Sequence, residues 1–157
     1  MVVLAQIPMA AHMPSRADML AQLTGLHGAI LTHIDALNAV TRTDAPDAER
    51  LARVRLQLTR ASRQRRRLIH ESIVPAIQPV CRADELFGLE KLRLDRVAQA
   101  AYSSQHIGIW TMARIVEDWA GYRHAMARMG VAMKANVETE RRVLYPLLGR
   151  PEPVRRS

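Results

Sequence analysis

Five residues of types that can bind metals or pair charges fall where a helix would be expected to bury apolar side chains. They are two histidines, an arginine, an asparagine and a glutamate: His27, Arg65, His106, Asn136 and Glu140. Imidazole and carboxylate groups can together bind a divalent ion, whereas a buried guanidinium needs a buried carboxylate as its partner. Because an unpaired polar group is costly to bury, we expect these side chains to face one another or a pocket.

Asn136 and Glu140 share a helical face with the methionines that precede them. Met126, Met129 and Met133 recur at steps of three and four residues, and the same spacing continues through Asn136 to Glu140. Residues at this spacing lie on one side of a helix. The pattern therefore places an amide and a carboxylate, one turn apart, in the interior of the protein.

The elements that position these residues are predicted to be helices throughout. Leu, Ala, Arg, Met and Gln dominate the composition, which favours helix. Turns between long helical patterns predict an all-α fold, an up-down-up-down antiparallel four-helix bundle over residues 15–149. An N-terminal arm (1–14) and a disordered basic tail (150–157) flank it. The predicted helices span 16–40, about 46 to a stop near Pro75 or Pro79, about 89 to 120, and 122–148.

Each predicted helix has a buried face, defined by steps of three and four residues. On the first helix the face contains Leu20, Leu23, His27, Ile30, Ile34, Leu37 and Thr41. On the second it contains Leu51, Val54, Leu58, Ala61, Arg65, Leu68, Ser72 and Ala76. The third shows Leu92, Val97 and Ala101, a break near Tyr102, and then His106, Ile109, Trp110, Ala113, Val116 and Ala120.

Composition excludes several classes of protein. Cys81 is the single cysteine, so the chain has no intrachain disulfide framework and no Cys-based zinc site. No apolar run approaches the roughly 18 residues that span a bilayer. We therefore expect a cytoplasmic protein that makes no use of a membrane.

The formal charge of +8 raises the question of a nucleic-acid partner. Arg60, Arg63, Arg66 and Arg67 predict a basic, outward face on the second helix, which phosphate groups could contact. No helix-turn-helix pattern accompanies this face, and aromatic residues for stacking on bases are missing. A solvated face, or a surface for an acidic partner, is the preferred interpretation, and a basic nucleic-acid-binding protein is an alternative.

The polar positions and the end of the fourth helix together resemble the hemerythrin-like (HHE cation-binding) family. That family has an early-helix histidine in each half and a His-x-x-x-Glu motif on each second helix, followed by a proline. Here His27 and His106 match the early histidines, and Asn136-x-x-x-Glu140 precedes Pro146 at the family's spacing. The resemblance covers about residues 16–148 and implies a four-helix bundle that holds metal.

The chain departs from the family at most of the ligand positions that the resemblance implies. Asn136 stands where a histidine is expected, and in the first half Arg65 and Ile69 replace the histidine and the glutamate. Tyr102 replaces a further histidine one turn before His106. An arginine cannot lose its proton to become a ligand, so Arg65 brings a permanent positive charge to the expected metal position.

These departures favour a metal-free polar core. Arg65 would pair with Glu140, and His27, Tyr102, His106 and Asn136 would satisfy the remaining polar groups. The predicted function is then a non-catalytic sensory, binding or protein-interaction module without a cofactor. Its partner would be another protein or a small apolar ligand, and a homodimer is possible.

A reduced metal site is the competing hypothesis. His27, His106 and Glu140 form a two-histidine, one-carboxylate set of the kind that holds a single divalent ion. The alternative function is therefore a hemerythrin-like protein with mononuclear iron or another divalent metal such as zinc. No arrangement of a nucleophile with a base, and no glycine-rich phosphate loop, points to an enzyme.

Overall fold

The computed structural model describes residues 13–151, and every regular element in that range is helical. Most of the predicted N-terminal arm (1–12) and the end of the predicted tail (152–157) lie outside the described residues. The α-helices are α1 (Arg16–Val40), α2 (Ala48–Leu68), α3 (Val74–Ile77), α4 (Ala83–Ile109), α5 (Met112–Glu117) and α6 (Trp119–Leu148). A π-helical turn (Ile69–Ile73) joins α2 to α3, and a 3₁₀ turn (Gln78–Val80) follows α3.

Helix α1 has the predicted bounds, and a capping box begins it. The Ser15 hydroxyl accepts a hydrogen bond from the Asp18 backbone N–H (3.1 Å), and the Asp18 carboxylate accepts one from the Ser15 N–H (3.1 Å). This reciprocal pair is a capping box. The helix packs along α2 and α6. Its predicted face is confirmed, because all its members except the half-buried Leu20 are buried: Leu23, His27, Ile30, Ile34, Leu37 and Thr41.

The second helical segment passes through Pro75, which was expected to stop or kink it. Asp47 caps α2, so Pro46 precedes the helix instead of lying in its first turn. Farther on, the Val74 N–H donates to the Ile69 carbonyl in a π turn, just before Pro75. A π turn contains one residue more than an α turn. The buried face therefore continues through isoleucines at steps of four, and not through Leu68, Ser72 and Ala76: Ile69, Ile73 and Ile77.

Helix α4 differs most from expectation. It begins at Ala83 instead of near Leu89, and it continues without a break past Tyr102 to Ile109. Glu85 supports its start by accepting a hydrogen bond from the Arg82 N–H (2.9 Å) and a second from Arg150 Nη1 (3.0 Å). Arg150, the first residue of the predicted tail, thus contacts the start of α4.

The buried face of α4 was also misassigned. Leu89 and Leu92 are buried, whereas Val97 is 59% exposed and Ala101 is also exposed. The face instead continues at steps of three and four through polar residues: Arg96, Gln99, Ser103 and His106. Apolar residues alone therefore gave the wrong phase for this helix.

A short helix, α5, precedes the long final helix. Thr111 caps α5, and Asp118 caps α6 by accepting from the Gly121 N–H (2.9 Å). Gly121 was expected to mark the turn, but it lies in the first turn of α6. A Cβ atom there would lie 2.3 Å from Asp118 Oδ2, so a larger residue would displace the capping carboxylate. The predicted face from His106 to Ala120 is only partly correct. Trp110 packs against the core, whereas Ile109 and Val116 are exposed and Ile115 is buried instead.

The apolar core consists of two clusters with a polar layer between them. The first apolar cluster includes Ile30, Ile34, Leu37, Leu51, Leu58, Ile115, Tyr122, Met126, Met129 and Met133. The second apolar cluster includes Met19, Leu23, Ile69, Ile73, Leu89, Leu92, Leu144 and Leu147. On α1, α2 and α6 the chain passes from one cluster to the other at a single buried polar residue: His27, Arg65 and Glu140. These three residues are the polar layer.

Candidate functional site

The polar layer is centred on the carboxylate of Glu140. His27 Nε2 lies 2.8 Å from Glu140 Oε2, and Arg65 Nε lies 3.7 Å from the same oxygen. The exposed fraction is 0% for His27, 1% for Glu140 and 5% for Arg65. A buried carboxylate of this kind depends on compensating partners, which here come from α1 and α2.

Tyr145 extends this layer toward the surface. A carboxylate only accepts hydrogen bonds, so His27 must donate to Glu140 from Nε2. In the neutral imidazole, Nδ1 then accepts from the Tyr145 hydroxyl, which lies 2.8 Å away. The two rings are also stacked, with centroids 5.6 Å apart. A hydrogen bond with Tyr145 raises the pKa of Arg141, so the chain of contacts ends at a partly exposed arginine.

Arg65 balances the charge of Glu140 without satisfying its own hydrogen-bonding groups. Its Nε and Nη1 atoms are buried and have no hydrogen-bond partner. The predicted ion pair between Arg65 and Glu140 is present at 3.7 Å, but the closer partner of Glu140 is His27, which makes the hydrogen bond. Arg65 also lines a cavity.

The cavity lies between α2, α4 and α6 and has a volume of about 110 Å³. Its apolar wall comes mainly from the first apolar cluster: Leu37, Leu58, Met126, Met129 and Met133. Its polar wall contains the side chains of Thr59, Ser62, Arg65, Arg66, Arg96, Gln99, Ser103, His106, Asn136 and Glu140. The space therefore adjoins the polar layer on one side and a methionine-rich surface on the other.

Unpaired buried polar atoms are concentrated around this cavity. In residues 13–151 such atoms occur on Tyr122 and on five cavity-lining residues: Ser62, Arg65, Arg96, His106 and Asn136. Buried polar groups in native proteins nearly always have a hydrogen-bond partner, so each exception needs an explanation. Here the exceptions other than Tyr122 belong to residues that line one cavity, which makes this cavity the candidate binding site.

Arginines give the cavity a positive charge. Arg55, Arg65, Arg66 and Arg96 line it, and Glu140 is the one acidic residue in its wall. Arg55 already has a hydrogen-bond partner, because its Nη2 donates to the Trp110 carbonyl (2.8 Å). Burial lowers the pKa of Arg96, and the nearby Glu140 partly opposes that effect.

His106 is held in its neutral form in this wall. Burial, followed by the charges of Arg55 and Arg128, lowers the pKa of His106 to about 4. Its ring lies against that of Tyr122, with centroids 6.1 Å apart, and its Nε2 is buried without a partner. At neutral pH the imidazole can thus donate one hydrogen bond and accept another.

Most of the site residues predicted from the sequence lie close together in the structure, and one lies apart. His27, Arg65 and Glu140 form the polar layer, and His106 and Asn136 line the adjoining cavity. Tyr102 was expected in this cluster, but it is 37% exposed and does not line the cavity. The reason is helical phase, because Gln99, Ser103 and His106 occupy the inner face and Tyr102 lies beside it.

Three participants were missed in the sequence. Arg96 continues the spacing of Leu89 and Leu92, so a search for any residue type at that spacing would have found it. Ser62 lies one position away from the predicted buried Ala61, and Tyr145 lies outside the predicted buried face of its helix, so neither carried a comparable signal. Arg66 was expected on an outward basic face with Arg67, but it lines the cavity, while Arg67 pairs with Glu71 (3.5 Å).

The residues present do not fit the divalent ion that the resemblance implies. His27 is already bonded to Glu140, and Arg65 places a cation 3.7 Å from the same carboxylate. Within residues 13–151 no three His, Cys, Asp or Glu side chains are grouped as metal ligands would be. His106 instead faces Tyr122 and the cavity.

Comparison of the chain with protein-family models, with curated protein sequences and with solved structures finds no match. The hemerythrin-like resemblance thus remains a prediction that depends on the spacing of the residues named above. In the described part of the chain, none of the helices has the length and apolar character required to cross a bilayer. The polar layer and the cavity are therefore the features of the molecule that bear on its function.

Replacing Glu140 with glutamine tests the role of its charge. The variant leaves Arg65 buried without a counter-charge, so we expect the free energy of unfolding to fall by about 3–5 kcal/mol. Urea denaturation followed by circular dichroism measures it. Glu138 on the same helix is largely exposed and paired with Arg141. The free energy of unfolding of the control variant Glu138→Gln should stay within about 0.5 kcal/mol of the wild-type value. An equal loss in both variants would show that Glu140 does not compensate the charge of Arg65.

The depressed pKa of His106 predicts a pH effect on stability. Between the ordinary value of 6.5 and the folded value of about 4, the unfolded chain binds a proton that the folded protein excludes. Stability from this residue is therefore complete above pH 6.5 and is lost as the pH falls toward 4. Unfolding of wild type and His106→Gln, measured across this window, should show a smaller decline in the variant. Parallel pH profiles would show that His106 is not the source.

Proposed function

We propose that this protein is a metal-free, non-catalytic binding module that takes up a small molecule in the cavity between α2, α4 and α6. The observation that carries the proposal is the grouping of unpaired buried polar atoms around one space with an apolar wall. Leaving a buried polar group unpaired costs about 1–3 kcal/mol. A bound molecule with matching hydrogen-bonding groups would remove this cost at the five residues around the cavity.

The bundle topology belongs to the same proposal. The order of the two apolar clusters along each helix supports an up-down-up-down arrangement. Helices α1 and α4 start in the second cluster, whereas α2 and α6 start in the first. In such bundles, ligand sites are built from inward side chains on facing helices. We propose that the chain has a hemerythrin-like fold in which Arg65 and His27 compensate Glu140 in place of metal.

A cavity-filling variant tests the binding function. Ser62→Leu puts apolar volume into the cavity and removes an unpaired hydroxyl, so we expect it to stabilise the fold by about 0.5–2 kcal/mol. It should also abolish the binding of small fragments detected by ligand-observed NMR with a library of mixed charge. Ser104 on α4 is exposed and does not line the cavity, so Ser104→Leu is the matched control that keeps binding. Fragments that bind Ser62→Leu as well as wild type, or no binding to either protein, would contradict the proposal.

The metal-free part of the proposal has its own test. The purified protein is incubated with ferrous iron or with zinc, desalted, and analysed by elemental mass spectrometry. We expect less than stoichiometric metal, because Arg65 opposes a cation at Glu140. Stoichiometric metal that is lost in both His106→Gln and Glu140→Gln would instead support a mononuclear site built from His27, His106 and Glu140.

A further inference from the structure

When the side chains that already have partners are set aside, the charge that remains around the cavity is positive. Arg55 donates to the Trp110 carbonyl and lies over the Tyr122 ring, 5.9 Å from its centroid. Arg65 is balanced by Glu140. Arg66 and Arg96 remain, and within residues 13–151 neither of their side chains has a hydrogen bond or an ion pair with another residue, although the charge of Glu140 acts on Arg96. The cavity therefore has two guanidinium groups with no anionic partner of their own.

Arg96 shows most clearly that a partner is missing. It is half-buried on the inner face of α4, and its Nε atom is buried without a hydrogen-bond partner. Glu140 offsets only part of the cost of burying its charge, and the nearby cations Arg65 and Arg66 add repulsion. An anion bound at this point would relieve both effects, and a guanidinium can hold a carboxylate by two parallel hydrogen bonds.

The opposite wall of the cavity is apolar and adaptable. Met126, Met129 and Met133 line it along one face of α6, with Leu37 and Leu58 beside them. Methionine side chains adjust to irregular shapes, so this wall can accept more than one apolar outline. An engineered cavity of about 150 Å³ holds a benzene ring, and the volume of about 110 Å³ here is comparable. The apolar part of a ligand would thus be about one ring or a short alkyl chain.

We propose that the ligand of this cavity is a small monocarboxylate with an apolar body, whose carboxylate binds Arg66 and Arg96 and whose body packs on Met129 and Met133. This inference rests on the proposed function and specifies its ligand. Asn136 and the neutral His106 provide uncharged hydrogen-bonding groups in the same wall. Arg65 stays with Glu140, so the polar layer keeps its charge balance when the anion binds.

Three probes of known chemistry test the charge and the apolar body separately. Protein labelled with ¹³C in the methionine methyl groups is titrated with benzoate, benzamide and inorganic phosphate. We expect benzoate to shift the methyl resonances of Met129 and Met133 and to bind at least about tenfold more tightly than benzamide, which is about 1.4 kcal/mol. Phosphate, which has charge but no apolar body, should bind more weakly than benzoate.

Arginine variants locate the carboxylate. Arg96→Met should weaken benzoate binding at least about tenfold and leave benzamide binding unchanged, and Arg66→Met should act in the same direction. Arg93 lies on the same helix, is exposed and pairs with Glu90 (2.7 Å). Arg93→Met is therefore the control that keeps the wild-type affinity. Thermal unfolding by circular dichroism confirms that each variant is folded.

The outcomes separate this inference from the function on which it rests. Equal affinity for benzoate and benzamide would overturn the proposal that the ligand is an anion, and so would unchanged benzoate binding in both Arg66→Met and Arg96→Met. Either result would leave the proposed binding of a small molecule standing. Phosphate binding as tightly as benzoate would overturn the apolar body. If no probe binds and the mixed-charge fragment library also gives no binding, the proposed function fails together with the inference.

Discussion

The carboxylate of Glu140 has to be compensated inside the protein, and the arrangement of the helices follows from that requirement. Removing a carboxylate from water is expensive unless opposite charge and hydrogen bonds replace the solvent. His27 supplies the hydrogen bond from α1, and Arg65 supplies the positive charge from α2. A single acidic residue on α6 thereby fixes the relative depth of three helices. The apolar core divides at this level into two clusters.

The same requirement explains why a cavity lies beside the polar layer. Arg65 needs space for its planar head group, and the facing part of α4 supplies polar side chains that cannot pack as tightly as a leucine face. Arg96, Gln99, Ser103 and His106 therefore border an open volume rather than a closed core. On α4 only Leu89 and Leu92 are buried. The cavity thus lies on the side of the bundle where polar side chains take the place of apolar ones.

Sequence spacing predicted the parts of the structure where apolar periodicity is unbroken. Helix α1 and its buried face have the expected bounds, because Leu23, Ile30 and Ile34 define one phase. The burial of His27, Arg65 and Glu140 followed from the same spacing, since each interrupts a regular apolar face at one position.

Prediction failed where a polar or backbone effect set the phase. On α4 the inner face becomes polar after Leu92, so the apolar Val97 and Ala101 misdirected the assignment of the buried face. Tyr102 was placed in the site by the family resemblance and lies beside the inner face. Pro75 was expected to stop a helix, but a π turn accommodates it and shifts the buried residues to Ile69 and Ile73. The bond between His27 and Tyr145 joins residues that are distant in sequence, and no local pattern reports such a contact.

The most direct test of the account is a double-mutant cycle between Arg65 and Glu140. The free energy of unfolding is measured for wild type, Arg65→Met, Glu140→Gln and the double variant by urea denaturation. If charge compensation organises the polar layer, the double variant loses less than the sum of the single losses, by an interaction energy in the range of about 0.5–3 kcal/mol. Additive losses would show that the two charges are independent and would contradict the account.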